Sequence, residues 1–433
     1  MSERETERET ALPERARGWV ALAALLAWPL LLLLDTGVAL ARGWRTQGVL
    51  ARAAAGGCGL AVLLGLALWG LPAGRRLLTR RWTAVATLVV ALSLGWMAVE
   101  GLAATFPSLL GNRLGHSRGP GVHRIFRPDP RTFTGIHGPS RYTTNDLGIR
   151  GGPLPAASGV TRLLCIGAST TECTYLDDEE TWPHLLMADL ERGSGRRTWV
   201  GGLGISGYTT FEHLDFLRHA PRLPVDGAVF LLGVNDFVRA LNGSLELGPR
   251  PLWRRSALLS AALEAGKRAT LRHLLYEVED ETGSHVEERR KLRRQAGRAG
   301  DLPELRQALR DYGGRVAALA GECRRRGLRC LFLTQPVLWR QDLAGRALDS
   351  LWMGADDDGR FFPPGPLRQG MDRYNAVLLA QCSRLGLECV DLAPAMSGRE
   401  ELFFDDCHFT EEGAREVARL AAGYLLSHPA GQG

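Results

Sequence analysis

Lysine is almost absent from this chain of 433 residues: Lys267 and Lys291 are the only two among 53 basic residues. The net charge of +6 and the isoelectric point near 9.0 are therefore the work of arginine. The arginines are scattered or alternate with Glu and Asp, and no RNA- or DNA-binding motif accompanies them, so the basic balance does not read as a nucleic-acid footprint. An arginine-for-lysine bias of this kind fits a GC-rich genome better than a function. None of the eight cysteines forms a C-x-x-C pair, which removes the usual zinc-ribbon and dithiol redox motifs. The acidic run Asp356–Asp358 lacks the spacing and pinned glycine of a calcium loop. No metal or cofactor is expected.

What is abundant is apolar sequence, and it is unevenly placed. After a tail at 1–17, the region 18–106 holds three long apolar runs, about 18–35, 53–71 and 82–100. Each is close to the ~20 residues that cross a ~30 Å hydrocarbon layer. None has the polar face of a soluble helix. Trp19, Trp69, Trp82 and Trp96 lie near the run ends, where interfacial aromatics gather. Ala39-Leu40-Ala41 also resembles a signal-peptide cleavage site, but two further runs favour a multi-span anchor. The loop with Arg75, Arg76, Arg80 and Arg81 is the most basic, so it is expected in the cytoplasm, with the N-terminus inside and everything after the third run outside.

A Gly/Pro/Arg-rich stretch at 107–160 reads as linker and lead-in, with TTNDLGIR at 143–150 as a strand and turn. From 161 to 428 short apolar runs alternate with amphipathic helices. Leu163–Gly167, Thr198–Leu203, Ala228–Leu232, Arg329–Leu333 and Glu388–Leu392 read as strands buried on both faces of a parallel sheet. Between them, Leu305, Leu309, Tyr312, Val316, Leu319 and Cys323 share one helix face, and Thr410 caps a last helix over 411–427. The fold class is α/β, a three-layer α/β/α arrangement on a mainly parallel five-stranded sheet. A helical insertion at about 240–303 interrupts it. Its run EERRKLRRQAGR reads as a solvated helix face, with contact to lipid headgroups as the alternative. A second insertion at 338–370 reads as a surface loop bordering the site. Cys323/Cys330 and Cys382/Cys389 each bridge a helix end and the next strand. They are either small buried residues at a repeated junction or disulfides outside the cytoplasm.

Four patterns sit at strand C-termini, where α/β proteins place chemistry. They are LLCIGASTT with Ser169, GLGISGYTT with Gly204, LLGVNDF with Asn235, and FFDDCHFTEEG with Asp405 and His408. Each alone has an ordinary reading as a helix cap, a turn, an Asx-turn or a helix start. Together they supply a nucleophile, extra oxyanion donors and an Asp–His relay, in order.

In that order the chain resembles the SGNH (GDSL-like) hydrolase superfamily, over about 143–427. GAS stands where that family often has GDS, Gly204 matches its second block, Val234-Asn235-Asp236 the G-x-N-D block, and Asp405–His408 the D-x-x-H block. Ala168 replaces a frequent Asp, and Gly202 a frequent Asn. The resemblance implies Ser169 as nucleophile, His408 as base, Asp405 as its partner, and Ser169, Gly204 and Asn235 as oxyanion donors. The implied protein is a membrane-tethered esterase acting on an ester-bearing small molecule, glycan or lipid. An O-acyltransferase of the same fold and a non-catalytic glycan binder are the alternatives. Cys173 and Cys407 lie near the expected site as thiols or as a disulfide.

Overall fold

The computed structural model describes residues 13–41, 48–105, 119–243 and 282–429. Outside these lie the first loop with Arg42 and Arg45, the start of the expected linker, and the larger part of the first insertion with Lys267. The chain divides into two compact units.

The N-terminal unit contains α1 (Glu14–Ala41), α2 (Gly48–Gly70), α3 (Pro72–Arg80) and α4 (Trp82–Thr105). Ala16–Val38 and Trp82–Leu102 are long and apolar enough to cross a membrane, which points to membrane association. Among the described residues, Cys58–Gly70 of the middle run meets Pro72–Arg80 at 94°, and this bent pair makes a third span when its two helices are counted as one. The bend has a local cause. Pro72 cannot donate to the preceding turn, and Leu71 before it takes the extended backbone (ψ 133°) that proline imposes on its neighbour. The Trp28 indole donates to Ser93 Oγ at 2.7 Å.

The second unit begins with a hairpin, β1 (His123–Phe126) and β2 (Ser140–Thr143), antiparallel in register. It continues through β3 (Thr161–Gly167), α5 (Ser169–Glu172), α6 (Trp182–Ser194), β4 (Thr198–Gly204), α7 (Thr210–His219), β5 (Gly227–Leu231) and α8 (Val234–Leu241). Then come α9 (Ser284–Gln295), α10 (Arg306–Arg326), β6 (Arg329–Leu333), α11 (Gly345–Asp349), α12 (Pro364–Leu385), β7 (Glu388–Val390), α13 (Ala393–Met396) and α14 (Glu411–Ser427). The sheet order is β4-β3-β5-β6-β7, all parallel, with Gly167 level with Gly204 on one side and Leu231 on the other. Helix α6 packs on α14, while α7, α10 and α12 pack together, which makes three layers. Phe230 and Phe332 stack at 4.9 Å in the sheet centre, both fully buried. Truncating either to Ala would cost about 3–5 kcal/mol.

The stretch expected to be a linker is built into this unit from Gly119 onward. Asn145 makes the turn of TTNDLGIR, its Oδ1 accepting from Leu147 N (3.0 Å) and Ile149 N (3.1 Å). Arg150 then exchanges backbone bonds with Gly202 at 3.0 and 2.8 Å, covering the β4 edge. Polar local bonds, rather than an apolar run, order this segment, which is why its composition resembled a linker.

The two C-x6-C pairs take the disulfide reading: Cys323 is bonded to Cys330 and Cys382 to Cys389. The junctions are built alike. Gly327 (φ 71°) and Gly386 (φ 62°) end α10 and α12 in the left-handed conformation, and the next N–H, of Leu328 or Leu387, returns to the carbonyl of Cys323 or Cys382. That reversal brings the strand cysteine back to the helix, with Cα separations of 6.2 and 6.3 Å.

The solvated-face reading of 287–298 needs correction. Glu287, Glu288, Lys291 and Arg294 are exposed, but Arg290 is only 4% exposed. It donates to the carbonyls of Ser350 (3.0 Å) and Phe404 (2.9 Å). Arg293 donates to those of Met353 and Phe362. Positions 286, 290 and 293 form one stripe of α9, and two of them meet backbone oxygens with guanidinium in place of apolar contact.

Candidate active site

The site is built at the C-terminal ends of β3, β4 and β5. β3 ends at Gly167 and the chain turns directly into α5, whose first residue is Ser169. Gly204 closes β4, and Asn235 lies in the first turn of α8 after β5. Asp405 and His408 occupy the tight loop before α14. Phe404 N bonds to the His408 carbonyl at 3.1 Å, closing the loop, and Thr410 caps α14 by accepting from Gly413 N at 3.0 Å.

Folding brings two of these distant segments into contact. His408 Nε2 lies 2.7 Å from Ser169 Oγ, and its Nδ1 lies 2.8 Å from both Asp405 oxygens. Asp405 Oδ1 also accepts from the backbone N–H of Cys407 (3.1 Å) and His408 (2.9 Å). Such an imidazole can withdraw a proton from a hydroxyl as that oxygen attacks a carbonyl carbon. Asn235 is placed differently from a free donor. One of its amide N–H groups is committed to the Tyr208 carbonyl at 2.9 Å. An amide has a second N–H, and the first bond orients it.

Asp405 is 1% exposed and the His408 side chain 15%. Burial alone would raise the Asp405 carboxyl, but the His408 charge and the bonds it accepts outweigh burial and hold it below the ordinary carboxylate value. Burial alone would lower His408. The Asp405 carboxylate overrides this and carries the imidazole well above its usual 6.5. Asp406, beside them, is pushed up by burial. Its oxygens take Trp339 Nε1 (2.7 Å), Trp352 N (2.7 Å) and Met353 N (3.0 Å), pinning the second insertion to the site.

That insertion is a surface loop only in part. Trp339, Leu351, Met353 and Phe362 are buried, whereas Asp356–Asp358 close an outer turn on Arg360. It also delivers a residue with no sequence signal. The Trp352 indole donates to Asp405 Oδ2 at 2.8 Å, its ring lies within 8° of parallel to His408, and Arg289 covers it at 4.6 Å. Cys173 and Cys407 are free thiols, each pushed up to about 11 by burial and so neutral. A cavity of about 810 Å³ lies away from this constellation, lined by Arg141, Asn145, Asp178, Glu179 and His184 among others.

A doubly wound parallel sheet with a serine–histidine–aspartate contact at its C-terminal end fits an SGNH-type ester hydrolase. The sequence profile of the GDSL-like lipase/acylhydrolase family matches residues 165–416, and the chain belongs to that family. No curated protein sequence matches it. Among solved structures it is similar to an alpha/beta hydrolase enzyme from the metagenome of Lake Arreo, Spain: 17% identity over 61% of this chain and 96% of that one, TM-score 0.36. It is also similar to the acetyl xylan esterase AlAXEase (14%, 60% and 98%, TM-score 0.35) and to an acetylxylan esterase from Geobacillus stearothermophilus (15%, 61% and 94%, TM-score 0.37).

Proposed function

We propose that the chain is a membrane-anchored serine esterase or deacylase that hydrolyses carboxylic esters on cell-envelope glycan or lipid. In this reading 18–106 is a multi-pass anchor and 161–428 the catalytic domain. The observation that carries it is the 2.7 Å contact between Ser169 Oγ and His408 Nε2, with Asp405 on the far nitrogen. As Ser169 attacks the ester carbonyl, His408 takes its proton and Asp405 stabilises the imidazolium. The N–H groups of Ser169 and Gly204, with the second N–H of Asn235, receive the oxyanion. Losing one such donor costs about 10²–10³ in rate. His408 then returns the proton to the departing alkoxide, and water, activated by the same imidazole, resolves the acyl-enzyme. The two disulfides support a catalytic domain outside the cytoplasm, in line with the basic second loop inside.

The test is a membrane-impermeant fluorophosphonate probe on intact cells. The parent should label and Ser169→Ala should not, with loss of short-chain p-nitrophenyl ester hydrolysis in lysates. Equal labelling and turnover in Ser169→Ala would remove this serine from the chemistry. Labelling only after lysis would place the domain inside.

A further inference from the structure

The catalytic reading above leaves one question of construction. Its three oxyanion donors come from separate segments, and something has to hold the two backbone donors, Ser169 after β3 and Gly204 at the end of β4, in mutual register. Glu172 joins their two segments. It is the last residue of α5, three positions after Ser169, and is only 2% exposed. Its Oε2 accepts both the backbone N–H (2.8 Å) and the hydroxyl (2.6 Å) of Ser206, two residues after Gly204. Its Oε1 accepts from the Tyr142 hydroxyl of β2 at 3.3 Å. Its own carbonyl, with that of Cys173, receives Arg150 Nη1 at 2.7 Å each. The two segments are also in direct backbone contact, since a Cβ on Gly204 would lie 2.0 Å from Glu172 N.

We infer that Glu172 is the positioning residue of the oxyanion hole: its carboxylate, through Ser206, sets the Gly204 N–H against the Ser169 N–H. The inference rests on the hydrolase reading. Its prediction is specific to the step in which negative charge develops, because donors misplaced by about 1 Å lose on the order of 10²-fold in rate.

The full chain in detergent would be compared with Ser206→Ala, Glu172→Gln and Glu172→Ala, using p-nitrophenyl butyrate and a trifluoromethyl ketone, whose adduct carries the oxyanion. Ser206→Ala is expected to lose about 10-fold in kcat with KM within twofold, and ketone affinity should fall by the same factor. Glu172→Ala should lose about 10²-fold, and Glu172→Gln, which keeps an acceptor oxygen, should recover most of it. The acidic limb of the pH profile should stay in place, because His408 is untouched. An unchanged kcat in a folded Ser206→Ala overturns the inference, as does a Glu172→Gln no better than Glu172→Ala. If the parent neither labels with fluorophosphonate nor turns over, the hydrolase reading fails and takes this one with it. A parent that does both beside an unaffected Ser206→Ala sinks the positioning role alone.

Discussion

Replacing Gly204 by Ala should disable the protein for a reason that can be worked out in ångströms. The added Cβ would sit 2.0 Å from Glu172 N, 2.4 Å from its Cα and 2.6 Å from the Thr171 carbonyl carbon. Ordinary contact begins near 3.4 Å, so backbone must retreat from backbone by about 1.4 Å. Overpacking costs about 1–3 kcal/mol where flexible side chains can yield. Here none is available, so the upper end applies. At about 2–4 °C per kcal/mol for a domain of this size, the melting temperature should fall by about 6–12 °C. The same movement separates Ser169 from Gly204, and a shift of this order costs about 10²-fold in kcat. Gly202→Ala, two residues back in the same strand, is the matched control. Its nearest atom would be Pro183 Cγ at 3.5 Å, so melting should move by no more than about 2 °C and turnover should hold. Intrinsic tryptophan fluorescence on heating and p-nitrophenyl acetate kinetics read both quantities. A fully active, thermally unaltered Gly204→Ala would refute the reasoning, as would a Gly202→Ala equally impaired.

Other expectations concern the base. Because His408 must be neutral to accept a proton and its pKa is raised above 6.5, kcat/KM should climb with pH and reach half its maximum above pH 6.5. A limb at or below that value would mean that Asp405 does not support the imidazole. Trp352→Phe removes the indole N–H from Asp405 Oδ2 and leaves a more basic carboxylate. That carboxylate holds the imidazolium harder, so the limb should move to higher pH while kcat falls about tenfold. A limb that stays in place would assign Trp352 to packing only.

The sheet was legible because strands buried on both faces read as unbroken apolar runs. Leu163–Gly167, for instance, lies wholly within β3. The last strand is shorter than the apolar pattern suggests. It ends at Val390, and Asp391 turns aside to take a hydrogen bond from Thr334 Oγ1 at 2.8 Å. The pairing of Asp405 with His408 could be read locally, since they stand three positions apart. Trp352, Glu172 and Arg150 could not. Their partners are 53, 34 and 22–28 residues away, and the bonds exist only once the chain has folded. Charge misled in the same way at α9. A guanidinium that serves buried carbonyls looks, in one dimension, like one facing water.

The two stapled helix ends carry a consequence for how this protein meets a change in redox conditions. Each bond links cysteines seven positions apart, so it closes a very small ring and restrains the unfolded chain by only roughly 2.5 kcal/mol. Partners this close can meet before distant strands have paired. Both rings lie where β6 and β7 begin, at the opposite end of the sheet from Ser169 and Asn235. Mild reductant should therefore lower the temperature at which the enzyme fails without altering the speed at which it works. The two disulfides should govern endurance, and the rate should be set at the other end of the sheet.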